Sequence, residues 1–534
     1  MTISRVRWRT WWPIVVIALA AGAIYLPGLG RSPAYIGGDE ARFATAAASV
    51  ASTGRDLTGN RLPLFFHMTE SLAGDAGTRW YQPMTFYLIA LVFRIAPVSE
   101  ATMRIPSALI GLIDIVLIYF VARRIFGDRL WASIAAAMLA LSPAHFIFSR
   151  QALDYICPLP FVLAWLWCTL AAVESGSVAL SLAAGLLLGV GFYSYIAAWI
   201  MMPLLLLLTW AAQRQAHNPL RTSLAAAIGC AGPVLIVIPW LWSHPEMWRD
   251  MVSRYNMYDA RHLTPLQGAR DYLNYNNVQE RLSVYWDYFN PAFLFFSGGS
   301  NLTTATRRAG VFLVPAAVFI VCGIYDLLQR RRSAVTLLLL GGLAASPLPA
   351  TFVDERYAIQ RALFVLPFGV LIATTGAVFL LRHRNQVVRL AAVALALAMP
   401  IQYAYFARDY FGDYRIRSAY WFDPANLRGV AEYLMASARE GQAPLMYLNE
   451  NLDDVAPRWR FYLIKHRRED LIERSRLFAA KDLDMRQVPA GSLIVFYAND
   501  PIVPTLLSAN TCAVATYVTD IAGRRTAVIL RKSV

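Results

Sequence analysis

Charge is scarce in this 534-residue chain: Asp, Glu, Lys and Arg together make up 16% of it, against about a quarter in an ordinary soluble domain. With 57% hydrophobic residues, that excludes a typical soluble protein and, more firmly, a disordered one. Lysine is nearly missing, with only Lys465, Lys481 and Lys532. A cation acting within the apolar part of the chain is therefore an arginine. The five cysteines, Cys157, Cys168, Cys230, Cys322 and Cys512, are scattered with no C-x-x-C pair, which excludes a disulfide framework or a zinc ribbon. No repeat of about 20–50 residues and no low-complexity tract occurs. Nor is there a Rossmann fingerprint, since Gly185, Gly189 and Gly191 sit inside an apolar run, where small residues serve close helix packing.

What is present is apolar sequence in long runs. About 20 mostly apolar residues cross the roughly 30 Å of hydrocarbon in a bilayer. Eleven segments qualify, at about 11–29, 105–122, 130–148, 155–173, 178–194, 196–212, 222–243, 309–329, 334–350, 362–381 and 387–406. The net charge of +15, from 49 basic and 34 acidic residues, would suit nucleic acid or anionic lipid. Its arginines lie in short clusters between the apolar runs, which excludes nucleic acid as the partner. With the N-terminus in the cytoplasm, Arg5, Arg7 and Arg9, Arg123, Arg124 and Arg129, Arg214 and Arg221, Arg330–Arg332, and Arg382, Arg384 and Arg389 all fall on the cytoplasmic side, as the positive-inside rule requires. The first segment reads as an uncleaved anchor rather than a signal peptide.

The expected fold is a polytopic α-helical membrane protein of about eleven transmembrane helices over 1–406, with outer loops 30–104 and 244–308. A small soluble C-terminal α/β domain, 407–534, follows outside the cytoplasm. In it Leu445–Leu448, Ser492–Tyr497, Cys512–Val518 and Thr526–Leu530 read as strands, and Arg458–His466 as a helix.

Chemistry-bearing residues collect on the outer side. Asp39 and Glu40 directly follow the first span. Either Asp39 caps a helix through Ala41–Val50, or Asp39 is a general base with Glu40 orienting it or helping to hold a divalent metal ion. At the end of the third span, Arg150 and Asp154 are four apart and read either as an i,i+4 ion pair or as part of a shared cleft with Asp39. Arg79-Trp80-Tyr81-Gln82-Pro83-Met84 opens a short apolar stretch to about Ala96 that reads as an interfacial helix. In the outer turn Asp354–Arg361, Arg356 and Arg361 run against the positive-inside tendency. They need either a carboxylate partner, Asp354 or Glu355, or a phosphate, which guanidinium binds in bidentate fashion. Asp114 inside the second span reads as a bundle-facing hydrogen-bonding group. Asp482-Leu483-Asp484, Asn301-Leu302-Thr303 and the histidines His67, His145, His244 and His262 carry no motif of their own.

An N-terminal span leading into Asp39-Glu40, a long outer loop with an aromatic-Pro helix, Arg104–Leu109 entering the second span, Arg150-x-x-x-Asp154 at the next outer face and Phe295–Gly299 before the eighth span together resemble the GT-C membrane glycosyltransferases. The likeness is to the bacterial branch related to protein O-mannosyltransferases and aminoarabinose transferases, over about residues 10–406. The resemblance implies inverting transfer of a sugar from a polyprenyl-phosphate carrier to an acceptor hydroxyl of a glycolipid, polysaccharide or protein, at the outer face of the cytoplasmic (inner) membrane. It implies that Asp39 deprotonates the acceptor and that Asp154 is the second acid. Tyr81, Gln82 and Arg150 would line the donor and acceptor cleft. The aminoarabinose branch places a lysine of a Lys-Pro-Pro segment at the donor phosphate. This chain has Gln82-Pro83-Met84 there, which moves the phosphate role to Arg79, Arg356 and Arg361. A divalent metal sharing that role stays open. The alternative readings are a transporter or lipid flippase, and a non-catalytic scaffold for the tail.

Overall fold

The structure, a computed structural model, describes residues 12–69, 78–255, 257–259, 262–329, 333–438, 444–479 and 482–533. Arg5, Arg7, Arg9, Arg330, Arg331, Arg332 and Lys481 lie outside the described residues.

Helix α1 (Trp12–Tyr25) is followed by an outer segment holding α2 (Gly38–Thr53), the strand pair β1 (Phe66–Thr69) and β2 (Thr78–Tyr81), and α3 (Met84–Ile95). Next come α4 (Glu100–Phe126), α5 (Arg129–Ala140), α6 (Pro143–Phe148), α7 (Leu159–Ser175), α8 (Val178–Gly191), α9 (Ala198–Gln213), α10 (Pro219–Leu235) and α11 (Val237–Ser243). A second outer segment carries α12 (Glu246–Arg254), α13 (Pro265–Tyr272) and α14 (Tyr275–Asp287). The chain returns through α15 (Pro315–Gln329), α16 (Ala334–Ala345), α17 (Leu348–Phe352), α18 (Val365–Leu381) and α19 (Gln386–Phe411).

Among the described residues, five stretches are helical, long and apolar enough to cross a membrane: 100–126, 154–175, 219–243, 334–352 and 386–411. Seven shorter apolar helices accompany them, α3 included. Three expected single spans are divided between two helices, 334–350 among them, where Ser346 and Pro347 separate α16 from α17. The 130–148 segment breaks between α5 and α6, where Pro143 follows Ser142; the residue before a proline is pushed out of helical geometry. The 222–243 segment breaks at Ile236, three residues after Pro233. Glycines set the closest approaches: a Cβ on Gly185 would meet the Ala226 carbonyl at 2.0 Å, and one on Gly376 the Phe319 carbonyl at 1.9 Å. Along α19, Val387, Leu390, Leu397, Ile401 and Tyr405 are exposed at helical spacing, an apolar stripe that suits lipid rather than water. Asp114 faces the bundle, with His145 Nε2 3.5 Å from its carboxylate.

After α19 the chain forms α20 (Asp413–Phe422), α21 (Leu427–Ser437), β3 (Met446–Asn449), α22 (Val455–His466), β4 (Ser475–Phe478), β5 (Leu493–Tyr497), α23 (Ile502–Ser508), β6 (Cys512–Thr519) and β7 (Arg525–Lys532). The five strands make one sheet in the order β4-β3-β5-β7-β6, with β3 parallel to both its neighbours and β7 antiparallel to both of its own. Side chains alternate between the faces, as the period of two demands. Leu493, Val495, Ala527 and Ile529 enter one cluster, and Ile494, Phe496, Val528 and Leu530 another. The first cluster does not stop at this sheet. It runs through α21 and α22 into Phe43, Ala44 and Ala47 of α2 and Phe86 and Ile89 of α3, so the C-terminal sheet and the first outer segment share one core. Lys465 to Glu100 at 2.7 Å, and Arg42 to Asp454, add ion pairs across the same junction.

Candidate active site

The start of α2 fixes the site. Its N-cap is Gly37, with Asp39 and Glu40 both in the first turn, so Asp39 is not the cap. Glu40 closes a capping box by accepting the Gly37 N–H at 3.0 Å. It also takes a bidentate grip from Arg104, at 2.8 and 2.7 Å, and the Ala152 N–H at 2.8 Å. Arg104 in turn donates to the carbonyls of Leu29, Pro33 and Tyr35. Both side chains are buried. Glu40 thus spends its lone pairs tying the segment before α2 to α4 and to residue 152, which leaves it no open oxygen for a reactant or a metal ion. Among the described residues no three His, Cys, Asp or Glu side chains gather as a metal-ligand group.

With Glu40 held inward, Asp39 faces the other way. Strand β2 brings Arg79 and Tyr81 to it from one face, two residues apart, while Trp80 between them donates its indole N–H to Asp250 of α12 at 2.9 Å. Three donors converge on Asp39 Oδ1: Arg42 at 3.0 Å, Tyr81 at 3.2 Å and Arg79 at 3.5 Å. Asp39 Oδ2 has no protein donor among the described residues. Burial, with the Asp39 carboxylate adding to it, pushes the Tyr81 phenol well above its ordinary pKa, so Tyr81 stays a proton donor to Oδ1. Arg42 is divided between Asp39 and Asp454 of the C-terminal part.

Asp154 begins a 3-10 turn ahead of α7. It is 3% exposed and lines the same cavity, of about 90 Å³, as Asp39, Arg79, Tyr81 and Gln82. The Nε2 of Gln82 is buried there with no partner among the described residues. Arg361 also lines this cavity, at the end of the 3-10 turn Ile359–Arg361. It is gripped by Glu355 at 2.6 and 2.7 Å and lies 4.8 Å from the Tyr255 ring. Desolvation opposes its charge, but Tyr195, Glu355 and Tyr255 outweigh it and raise its pKa well above the usual value.

Two expected members are elsewhere. Arg356 lies outside the cavity lining, bonded to Asp287 at 2.5 Å and Ser283 at 3.3 Å, its side chain 47% exposed. Arg150 makes no pair with Asp154, because no continuous helix joins them. It is buried against the rings of Phe146, Tyr410 and Phe411 and donates to the carbonyls of Tyr25 and Ser32, fastening the end of α1. Conversely, Arg254, Tyr255, Tyr195 and Gln360 line the cavity without having been singled out from the sequence. The signal available for Arg254 was its sequence position alone, since α12 is a short polar helix.

A second cavity, of about 510 Å³, lies against the same residues, sharing Asp39, Arg79 and Tyr155 with the first. Its far wall comes from the C-terminal part: Trp421, Phe422, Asp453, Asp454 and Arg458.

Residues 81–242 match the family model described as dolichyl-phosphate-mannose-protein mannosyltransferase, a stretch that contains Tyr81, Gln82 and Asp154. Undecaprenyl phosphate-alpha-4-amino-4-deoxy-L-arabinose arabinosyl transferase 1 of Pseudomonas fluorescens is 26% identical over 274 residues, 48% of this chain and 46% of that protein. The match thus spans about half the length of that relative. ArnT from Cupriavidus metallidurans in the apo state superposes with a TM-score of 0.61 over 98% of each chain, at 16% identity. The same protein bound to undecaprenyl phosphate gives 0.56 over 97% of this chain and 98% of that one, at 13% identity. The chain has the GT-C fold of these structures, its C-terminal sheet included in the matched length.

Proposed function

We propose that the chain is an inverting glycosyltransferase of the cytoplasmic membrane that moves a sugar from a polyprenyl-phosphate carrier to an acceptor hydroxyl at the outer face. The observation that carries this reading is a single cavity where Asp39 and Asp154, beside the Asp250 that Trp80 holds, meet the arginines Arg79, Arg254 and Arg361. Glycosyl transfer with loss of a phosphate needs both sets: a base for the incoming hydroxyl, and fixed cations for the charge that grows on the leaving oxygen. Arabinosyl transfer from undecaprenyl phosphate, named for the Pseudomonas relative, and the undecaprenyl phosphate bound to ArnT support the same donor class here. The transporter reading draws no such support.

In this mechanism Asp39 Oδ2, the oxygen without a protein donor, takes the acceptor proton as the acceptor oxygen attacks the anomeric carbon. The bond from that carbon to the carrier phosphate breaks, and the phosphate leaves against Arg361 and Arg79. Arg42, Arg79 and Tyr81 hold Asp39 by Oδ1 alone, which orients it without occupying the reacting oxygen. Asp154, buried in the same cavity, is the second acid and meets the sugar by hydrogen bonding. Eleven spans, a cytoplasmic N-terminus and an outer C-terminal domain over 407–534 complete the proposal. This topology sets the cavity at the level where a lipid-borne phosphate enters from the bilayer.

Asp39→Asn tests it, in membranes supplied with labelled polyprenyl-phosphate sugar. Transfer is expected to fall by about 10²–10⁴-fold, the usual worth of a general base, with donor binding retained. Wild-type transfer by a normally inserted variant overturns the assignment of the base.

A further inference from the structure

The second cavity bears on what the sugar is transferred to. Resting on the transferase reading, we propose that this cavity binds the acceptor, and that the acceptor is a neutral sugar ring of a glycan presenting a free hydroxyl, rather than the phosphate of a glycolipid.

Position comes first. The cavity of about 510 Å³ shares Asp39 with the smaller one and is not lined by Arg361, so a hydroxyl lodged in it reaches the proposed base without occupying the space beside that arginine. Charge comes second. Each arginine on its wall is already committed to carboxylates. Arg42 serves Asp39 and Asp454, Arg79 reaches Asp39, and the buried Arg458 bonds Asp453 at 3.2 Å and the Phe422 carbonyl at 2.5 Å. The acids remain partly open, with Asp453 54% and Asp454 20% exposed. An anionic phosphate there would face the carboxylates of Asp39, Asp453 and Asp454. Chemistry agrees: a phosphate oxygen is ionised at neutral pH and needs no base, whereas a sugar hydroxyl does.

Shape comes third. Trp421, at the end of α20, is half exposed on this wall, with the Asp453 carboxylate and Thr303 in the same lining. Asp453 meets Arg458 through Oδ2, and Oδ1 has no partner among the described residues. A flat indole face bordered by hydrogen-bond acceptors suits a pyranose ring, which has apolar C–H faces and a hydroxylated edge.

The test uses the full chain in proteoliposomes with labelled polyprenyl-phosphate sugar and three acceptors: a neutral oligosaccharide, a Ser/Thr-containing peptide and a phosphorylated disaccharide glycolipid. Labelled product is expected on the neutral oligosaccharide. Trp421→Ala is expected to raise the KM for that acceptor at least about tenfold while lowering kcat much less, and Trp421→Phe to recover most of the loss. Trp286→Ala, on α14 and outside both cavities, is the control for aromatic loss in general. Preferential transfer to the peptide or to the phosphorylated glycolipid overturns the proposal, as does an unchanged KM in Trp421→Ala. Slow release of sugar from the donor to water, lost in Asp39→Asn, reports the transferase reading separately. Release without glycosylation of the oligosaccharide sinks only the acceptor assignment; no donor turnover under any condition sinks both.

Discussion

Arg42 joins two carboxylates from opposite ends of the chain, Asp39 and Asp454. Burial raises the pKa of Asp454 above the ordinary carboxylate value, with Arg42 and Arg458 partly offsetting it. The sign follows from linkage: a carboxyl whose folded pKa is raised binds its proton more tightly in the folded state. Its contribution to stability is present below the unfolded pKa and is lost as pH rises through the folded one. In that window, between the usual carboxylate range and the raised value, falling pH neutralises Asp454 and leaves Arg42 to Asp39 alone, which draws the guanidinium onto the proposed base. Wild-type transfer should therefore decline several-fold as the pH falls through the window. Asp454→Asn should start from the lower rate at neutral pH and show a shallower profile, as a pH–rate series would measure. The two outer-turn arginines give a second contrast. Arg361→Ala removes a buried cation from the cavity and should lower transfer by at least about tenfold. Arg356→Ala breaks an exposed ion pair worth about 0–1 kcal/mol and should leave transfer unchanged, in the same labelled-sugar assay.

Elements were legible where a local rule forms them and illegible where tertiary structure does. The apolar runs, the four strands predicted in the tail and the helix around Arg458–His466 follow from periodicity, and the structure has helix or strand at each of them. Strand β4 escaped because it is four residues long, at a sheet edge, with too little alternation to register. The breaks before Pro143 and after Pro233 escaped because hydropathy averages over them. Asp39 and Asp154 stood out as acids at span ends, and one cavity collects them. Arg356 and Arg361 looked equivalent in sequence, but a left-handed Tyr357 and a 3-10 turn separate their directions. Arg254 is carried to the cavity because Trp80 binds α12 through Asp250, a contact across 170 positions that no local pattern encodes. Glu40, read as a candidate for catalysis, is instead the peg between α2, α4 and residue 152. Glu40→Gln leaves Arg104 buried without its counter-charge, a loss of about 3–5 kcal/mol. Thermal unfolding in detergent should fall accordingly, and added divalent metal should not restore it.

At the scale of the molecule, the C-terminal sheet is no detachable appendage, because its core continues into α2 and α3. A chain ending near residue 412 would uncover Phe43, Phe86 and Ile89, and would remove Asp454 from Arg42. Such a truncation should migrate as aggregate in size-exclusion chromatography in mild detergent and show no transfer. A separable domain would instead leave a monodisperse membrane part with residual activity.

That shared core also sets an order of assembly. The contact from Arg42 to Asp454 spans 412 positions, and β7 at the end of the chain supplies Ala527 and Ile529 to the cluster beneath α2. Closing contacts so distant in sequence is slow: the one from Arg42 waits for Asp454, and the cluster beneath α2 waits for β7, each on the same side of the membrane as the first outer segment. The surroundings of Asp39 are therefore finished last. A chain stalled before β7 would carry every proposed catalytic residue and still lack the packing beneath α2 that holds Asp39 in place.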